Sequence, residues 1–137
     1  KKPMSDKCFL DSNVIIYAHT DLDVRKQQVA QHLIATEDTT ISTQVLQETA
    51  NTLSKKFQFA WPDIQTVLNE AAANNALHTN SFHTITDACR IADRYGFSFY
   101  DSLIIAAALE SGCQRLLSED LQDGQVIDDV LTVENLF

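Results

Sequence analysis

Four carboxylates stand out by their surroundings. Asp11 directly follows the apolar run Cys8-Phe9-Leu10 and precedes Val14-Ile15-Ile16-Tyr17-Ala18. Asp120 comes shortly after Leu116-Leu117-Ser118, Asp101 opens the apolar stretch Leu103 to Leu109, and Glu48 sits inside a helix-patterned segment. Carboxylates gathered at one place must take up protons or bind cations, because like charges raise one another's pKa and a divalent cation inverts the local sign. Each acid also has an ordinary explanation. Asp11 fits a helix N-cap, and Ser98-Phe99-Tyr100-Asp101 fits a capping box whose acid complements the helix dipole. Asp120 fits a turn. Glu48 lies roughly 130° from the centre of the face formed by Val45, Leu46, Thr49, Ala50 and Leu53, and by itself reads as a surface residue.

The elements that would position these acids follow from punctuation and periodicity. Cys8-Phe9-Leu10 reads as a buried strand turning sharply into a helix. Val29, Ala30, Leu33 and Ile34 recur at helical spacing, and Thr39-Thr40-Ile41 is a short β-prone patch before Ser42, an N-cap for a helix running to about Phe57. Pro62 suits the first turn of the next helix, whose apolar stripe Ile64, Val67, Leu68, Ala71, Ala72 continues until Asn74-Asn75. Ala76 to His78 is a short strand. Ile85, Ala88, Cys89, Ala92 and Tyr95 mark a helix stopped by Gly96 in the left-handed conformation. Ser98 begins a helix that is apolar all round and stops by Gly112, the pattern of a buried element. Arg115 to Ser118 reads as an interior strand, Asp120 to Gly124 as a turn, and Val130 to Val133 as a last strand. Short apolar strands alternating with helices imply an α/β sandwich with a mainly parallel sheet, in which ligands bind beyond the carboxyl ends of the strands. Asp11 and Asp120 would then share one edge.

Composition bounds the rest. The chain has 137 residues, enough for one domain over 1–137, and 45% of them are hydrophobic. Only 3 Gly and 2 Pro argue against an all-β fold rich in tight turns. Lys1 to Pro3 reads as an expression remnant ahead of Met4. The N-terminus has no apolar signal segment and no run approaches the roughly 20 apolar residues of a membrane span, so a cytoplasmic location is expected. Cys8, Cys89 and Cys113 lack metal or disulfide spacing and read as buried reduced thiols. Net charge is −9, and residues 99–137 carry eight acids against Arg115 alone. This opposes broad electrostatic binding to a nucleic-acid duplex, so the placement of the acids matters more than their number.

Taken in order, Phe9-Leu10-Asp11-Ser12-Asn13-Val14-Ile15-Ile16-Tyr17, the helix with Gln47-Glu48, Tyr100-Asp101-Ser102-Leu103-Ile104-Ile105-Ala106-Ala107-Ala108 and Leu117-Ser118-Glu119-Asp120 resemble a PIN domain. The likeness is to the small VapC-like toxin of bacterial toxin-antitoxin pairs and covers essentially the whole chain. It implies a three-layer sandwich with a mainly parallel central sheet flanked by helices. It also implies an endoribonuclease dependent on Mg²⁺ or Mn²⁺, with Asp11, Glu48, Asp101 and Asp120 as catalytic and metal-binding acids and Asn13 and Ser118 as their polar supports. A cognate antitoxin and a homodimer are implied with it. Two positions depart from the family pattern: Ser118 stands where Thr is frequent, and Asn135-Leu136-Phe137 lacks the Pro often found between Asn and Phe. Neither is a carboxylate.

For an RNA substrate, Arg25, Lys26, Lys55 and Lys56 are the candidate phosphate contacts. Tyr17 and Phe99 could stack bases, although an apolar-core role suits both. None of the four His falls in a catalytic spacing. The alternatives are a catalytically silent PIN-like module that binds RNA or protein, and a haloacid-dehalogenase-like phosphatase. The phosphatase is disfavoured because its second acid is replaced by Asn13 and no Lys follows Lys56.

Overall fold

The computed structural model describes residues 6–137, so the reading of Lys1 to Pro3 as a remnant lies outside the described residues. Strands β1 (Lys7–Leu10), β2 (Asp38–Ser42), β3 (Ala76–His78), β4 (Arg115–Leu117), β5 (Val126–Ile127) and β6 (Leu131–Glu134) form one sheet in the order β3-β2-β1-β4-β6-β5. All neighbours pair in parallel except β5 and β6. Six helices connect them: α1 (Ser12–His19), α2 (Val24–Thr36), α3 (Thr43–Lys55), α4 (Trp61–Asn74), α5 (Phe82–Tyr95) and α6 (Phe99–Glu110). The first two crossovers lead outward from β1 to β3 and the third returns to β4 on the other side of β1. Right-handed connections therefore place α1 to α4 on one face and α5 and α6 on the other, giving a three-layer sandwich. No helix among the described residues is long and apolar enough to cross a membrane.

The reversal of direction around β1 makes a crevice beyond the carboxyl ends of β1 and β4. The strands there are rigidly held. Phe9, Leu10, Leu116 and Leu117 are buried, and every residue of α6 from Ser102 to Ala108 is buried with them. That burial explains the apolar circumference of α6: it packs between the sheet and α5, so no side is left for water.

Ser42 and Ser98 cap helices as the sequence signals, and Ser81 adds a cap that the sequence reading did not single out. Ser42, Ser81 and Ser98 each accept from the backbone N–H three residues on, and Gly96 stops α5 at φ 79°. Three expectations are corrected. Helix α3 ends at Lys55 rather than near Phe57, with Gln58 at φ 51° turning the chain. Strand β5 has no apolar run to announce it, and exists because Asp128 and Asp129, both at positive φ, fold Val126–Ile127 back onto β6. Cys89 is exposed on the outer face of α5, where Thr84, Ala88 and Ile91 form the buried face, whereas Cys8 and Cys113 are buried as expected.

Candidate active site

Asp11 is placed by the last rung of β1. Its N–H donates to Leu117 O (3.0 Å), continuing the sheet, while its carboxylate caps α1 by accepting from Ser12 N (2.7 Å). The N-cap explanation is therefore correct, but it uses only Oδ1. The other oxygen accepts from Ser118 Oγ (2.8 Å), just past β4. Ser118 Oγ in turn accepts from Asp120 N (3.1 Å), and Asn13 Nδ2 donates to Asp120 Oδ2 (3.1 Å) while Asn13 Oδ1 accepts from Glu119 N (3.3 Å). Two strand ends, β1 and β4, are thus stitched side by side through Asn13 and Ser118.

The other two acids arrive from helices. Glu48, one turn into α3, is half-buried, accepts from Gln44 Nε2 (3.2 Å) and interacts with Ser12, Asp101 and Asp120. Asp101 sits in the first turn of α6, its N–H donated to Ser98 Oγ (3.2 Å). The α3 and α6 N-termini are tied together by Gln44 Nε2 donating to Tyr100 O (3.0 Å). The wheel reading of Glu48 as an ordinary surface residue fails for a tertiary reason: the side of α3 away from Val45, Thr49 and Leu53 is met by the start of α6 and by Ser12.

The electrostatics follow from burial. Asp11 is 6% exposed and its pKa is pushed up to about 6, first because burial disfavours the charged form. The Ser118 and Ser12 hydrogen bonds oppose this, and the charges of Glu48 and Asp120 add to it. Burial also raises Glu48, with Asp101 and Asp120 adding to the effect and the Gln44 and Ser12 hydrogen bonds working against it. Among the described residues, no ion pair reaches Asp11, Glu48, Asp101 or Asp120.

The donor set, all hard carboxylate and hydroxyl oxygens with no protein cation among them, suits a hard divalent cation. Among the described residues, no group of three or more His, Cys, Asp and Glu side chains is placed to hold a metal ion together. The fit is thus to an ion held by one or two carboxylates and water, as Mg²⁺ commonly is.

The basic candidates have separate fates. Lys26 reaches the site's rim: its Nζ lies 2.7 Å from Glu119 Oε2, and Tyr17 Oη donates to Glu119 Oε1 (2.7 Å). Lys26 is thereby engaged, holding the segment between Ser118 and Asp120. Arg25 Nη2 donates to Phe137 O (2.7 Å), and the Phe137 ring lies 5.1 Å from that of Tyr17. Lys55 and Lys56 end α3, exposed and away from the acids, with Lys56 over the Phe57 ring. Phe99 stands edge-on to Tyr100 at 5.3 Å. Sequence reasoning missed Gln44, Ser12, Tyr17 as a hydroxyl donor, and Glu119. Only Glu119, lying between Ser118 and Asp120, carried a signal. A larger cavity of about 520 Å³, lined by residues including His19, Gln31 and Glu70, touches none of the four acids.

The PIN domain family model matches residues 8–123. No curated protein sequence matches significantly. Several solved structures share the fold. The VapC20 toxin of Mycobacterium tuberculosis, described as cleaving the sarcin-ricin loop, is 20% identical with a TM-score of 0.64, covering 82% of this chain and 91% of its own. VapBC from Salmonella typhimurium, bound to DNA, is 17% identical with a TM-score of 0.68 over 96% and 98%. VapBC2 from Rickettsia felis, bound to a promoter DNA fragment, is 19% identical with a TM-score of 0.66 over 96% and 99%.

Proposed function

This chain belongs to the PIN domain family, and from that premise we propose that it is a divalent-metal-dependent endoribonuclease and the toxin of an antitoxin-controlled pair. The observation that carries the reading is the meeting of Asp11, Glu48, Asp101 and Asp120, brought by four separate elements to one strand-end crevice without a protein cation. One or two of these carboxylates, with water completing the shell, would hold Mg²⁺ or Mn²⁺. The chemistry such an ion supplies is neutralisation of phosphate charge and acidification of water. Ser118 and Asn13 hold Asp11 and Asp120 in place, and the carboxylates accept the proton of the attacking water. In hydrolysis the water oxygen bonds to phosphorus, the bond to the leaving ribose oxygen breaks, and that oxygen takes up a proton. Family membership displaces the phosphatase alternative.

Incubation of single-stranded RNA with the purified chain in Mg²⁺ or Mn²⁺ tests this. Cleavage that stops on chelation and in Asp11→Asn and Asp101→Asn is expected; full activity in both variants would sink the mechanism. Cation binding without cleavage of any RNA favours the silent module. The partner reading is supported by solved VapBC complexes of this fold. Expression with its genomic neighbour should yield a complex containing a homodimer of this chain, and recovery of bare monomer counts against it.

A further inference from the structure

On α3, Gln44, Gln47, Glu48 and Asn51 fall at i, i+3, i+4 and i+7 and so share one stripe. Core packing accounts for Gln44 alone among them, which α3 buries along with Val45, Thr49 and Leu53; Glu48 is half-buried and Gln47 and Asn51 are exposed. With Tyr100 of α6, these four residues line a recess of about 250 Å³. The recess is open to solvent on its outer side, so a flat ring can enter it from the surface.

Three features say what enters it. Gln44 is 3% exposed, spends its amide N–H groups on Glu48 Oε2 and Tyr100 O, and leaves its Oε1 without any donor. Tyr100 is 66% exposed although it is a large aromatic, and its ring is braced by Phe99. Gln47 and Asn51 are exposed and make no hydrogen bond through their side chains among the described residues, so two carboxamides face the opening unspent. The lining contains no Lys or Arg, and the Glu48 carboxylate repels anions, so a phosphate is excluded. An aromatic face beside carboxamides, each offering a donor and an acceptor together, is the combination that stacks an unpaired base and reads its edge.

We propose that this recess binds one unpaired nucleobase of the RNA, adenine by preference, beside the scissile phosphate, with Tyr100 stacking it and Gln47 and Asn51 reading it. Adenine is chosen because a Gln or Asn carboxamide pairs in two-point fashion with its N6 amino group and N7, an edge on which guanine offers only acceptors. The inference rests on the ribonuclease reading, since Glu48 is the wall shared by the recess and the acidic cluster.

Two readouts test it. One is fluorescence anisotropy of labelled single-stranded homo-oligomers of A, C, G or U in Ca²⁺. The other is sequencing of the ends released from a randomised RNA in Mn²⁺. Oligo-A is expected to bind about tenfold tighter than the others, with adenine enriched at a fixed position next to the cut. The double variant Gln47→Ala, Asn51→Ala should erase both preferences, and Tyr100→Ala should weaken all four oligomers about tenfold or more. All three positions are solvent-exposed, and thermal melts confirm folding. Equal affinities in the unaltered chain, or a preference that survives the double variant, overturn the proposal. A preference for another base that the double variant erases retains the recess and replaces adenine. Base-selective binding without cleavage overturns the nuclease reading and keeps the recess, cleavage indifferent to these residues does the reverse, and neither binding nor cleavage overturns both.

Discussion

Arg115 and Ser118 stand three residues apart on and just beyond β4, yet they belong to acidic clusters of opposite design. At the start of the strand, Arg115 Nε lies 2.6 Å from Glu134 Oε2 and its Nη1 lies 3.0 Å from Glu37 Oε1, with Nη1 also 3.1 Å from Cys8 Sγ. The chain supplies the cation, and the guanidinium is held charged by Glu134 first and Glu37 after it. Past the end of the strand, Asp11, Glu48, Asp101 and Asp120 converge with only neutral donors. One cluster is closed and structural. The other tolerates a buried carboxylate whose ionisation is unfavourable, the kind of local cost found where a ligand is to be received. Beside the open cluster, Lys26 pairs with Glu119, which neutralises the neighbour of Asp120 and leaves Asp120 itself uncompensated.

The contrast breaks most decisively at the open cluster. Asp11→Asn or Asp101→Asn should lower RNA cleavage by more than about a hundredfold, beyond the roughly 10–100-fold typical of residues that only orient metal ligands. Loss of less than that, measured at saturating Mn²⁺, would make the open cluster as dispensable for chemistry as the closed one. Arg115→Met should act oppositely, costing on the order of 2–3 kcal/mol of stability by stranding Glu134 without its bidentate partner, with cleavage per folded molecule unaltered. Urea unfolding and a specific-activity assay separate the two effects.

A third consequence concerns pH in chelator. Asp11 has a folded pKa near 6 against 3.8 for an ordinary Asp, so its contribution to stability is fully present below about 3.8 and is lost as pH rises through about 6. The metal-free chain should therefore lose stability across that window, with Glu48 adding in the same direction. Asp11→Asn should remove most of the dependence and be the more stable form at pH 8 by on the order of 2 kcal/mol. Excess Mn²⁺ should narrow the gap by stabilising the unaltered chain. Thermal melts at pH 4 and pH 8 decide this, and a variant no more stable at pH 8 refutes the open-cluster electrostatics. The smallest effect is expected at Lys26→Met, a fewfold fall in cleavage with the metal requirement retained, because Lys26 acts through Glu119 and Tyr17 and not on the four acids. A loss as large as that of Asp11→Asn would move Lys26 into direct contact with substrate.

Much of the fold was legible because it depends on local rules. Ser42 and Ser98 cap helices by accepting from the N–H three residues on, Gly96 accepts positive φ, and the unbroken apolarity of α6 announces burial on all sides. Strand β5 was not legible, since two residues carry no pattern and the hairpin depends on Asp128 and Asp129 accepting positive φ while Asp128 is held by Arg90 and Tyr95 from α5. In the candidate site, Asp11 and Asp120 could be placed at one edge from sequence because each follows an apolar strand in a parallel sheet. Glu48 could not, as helical periodicity reports which side of α3 meets the core and says nothing of what meets the opposite side. The same blindness hid Gln44, which looks like a surface glutamine and is buried by α6.

The amino-acid sequence alone determined the alternation of strands and helices, the strand-end positions of Asp11 and Asp120, and the order of motifs that resembles a PIN domain, because each of these is encoded by neighbours within a few residues. Only the tertiary structure decided that Glu48 and Asp101 join them, that Lys26 and Arg25 are already engaged, and that Gln44, Gln47, Glu48, Asn51 and Tyr100 line one open recess. The recess and the placing of Glu48 depend on where the first turns of α3 and α6 meet, and the engagement of Lys26 and Arg25 on α2 meeting Glu119 and Phe137, contacts between residues more than fifty positions apart that no local pattern records.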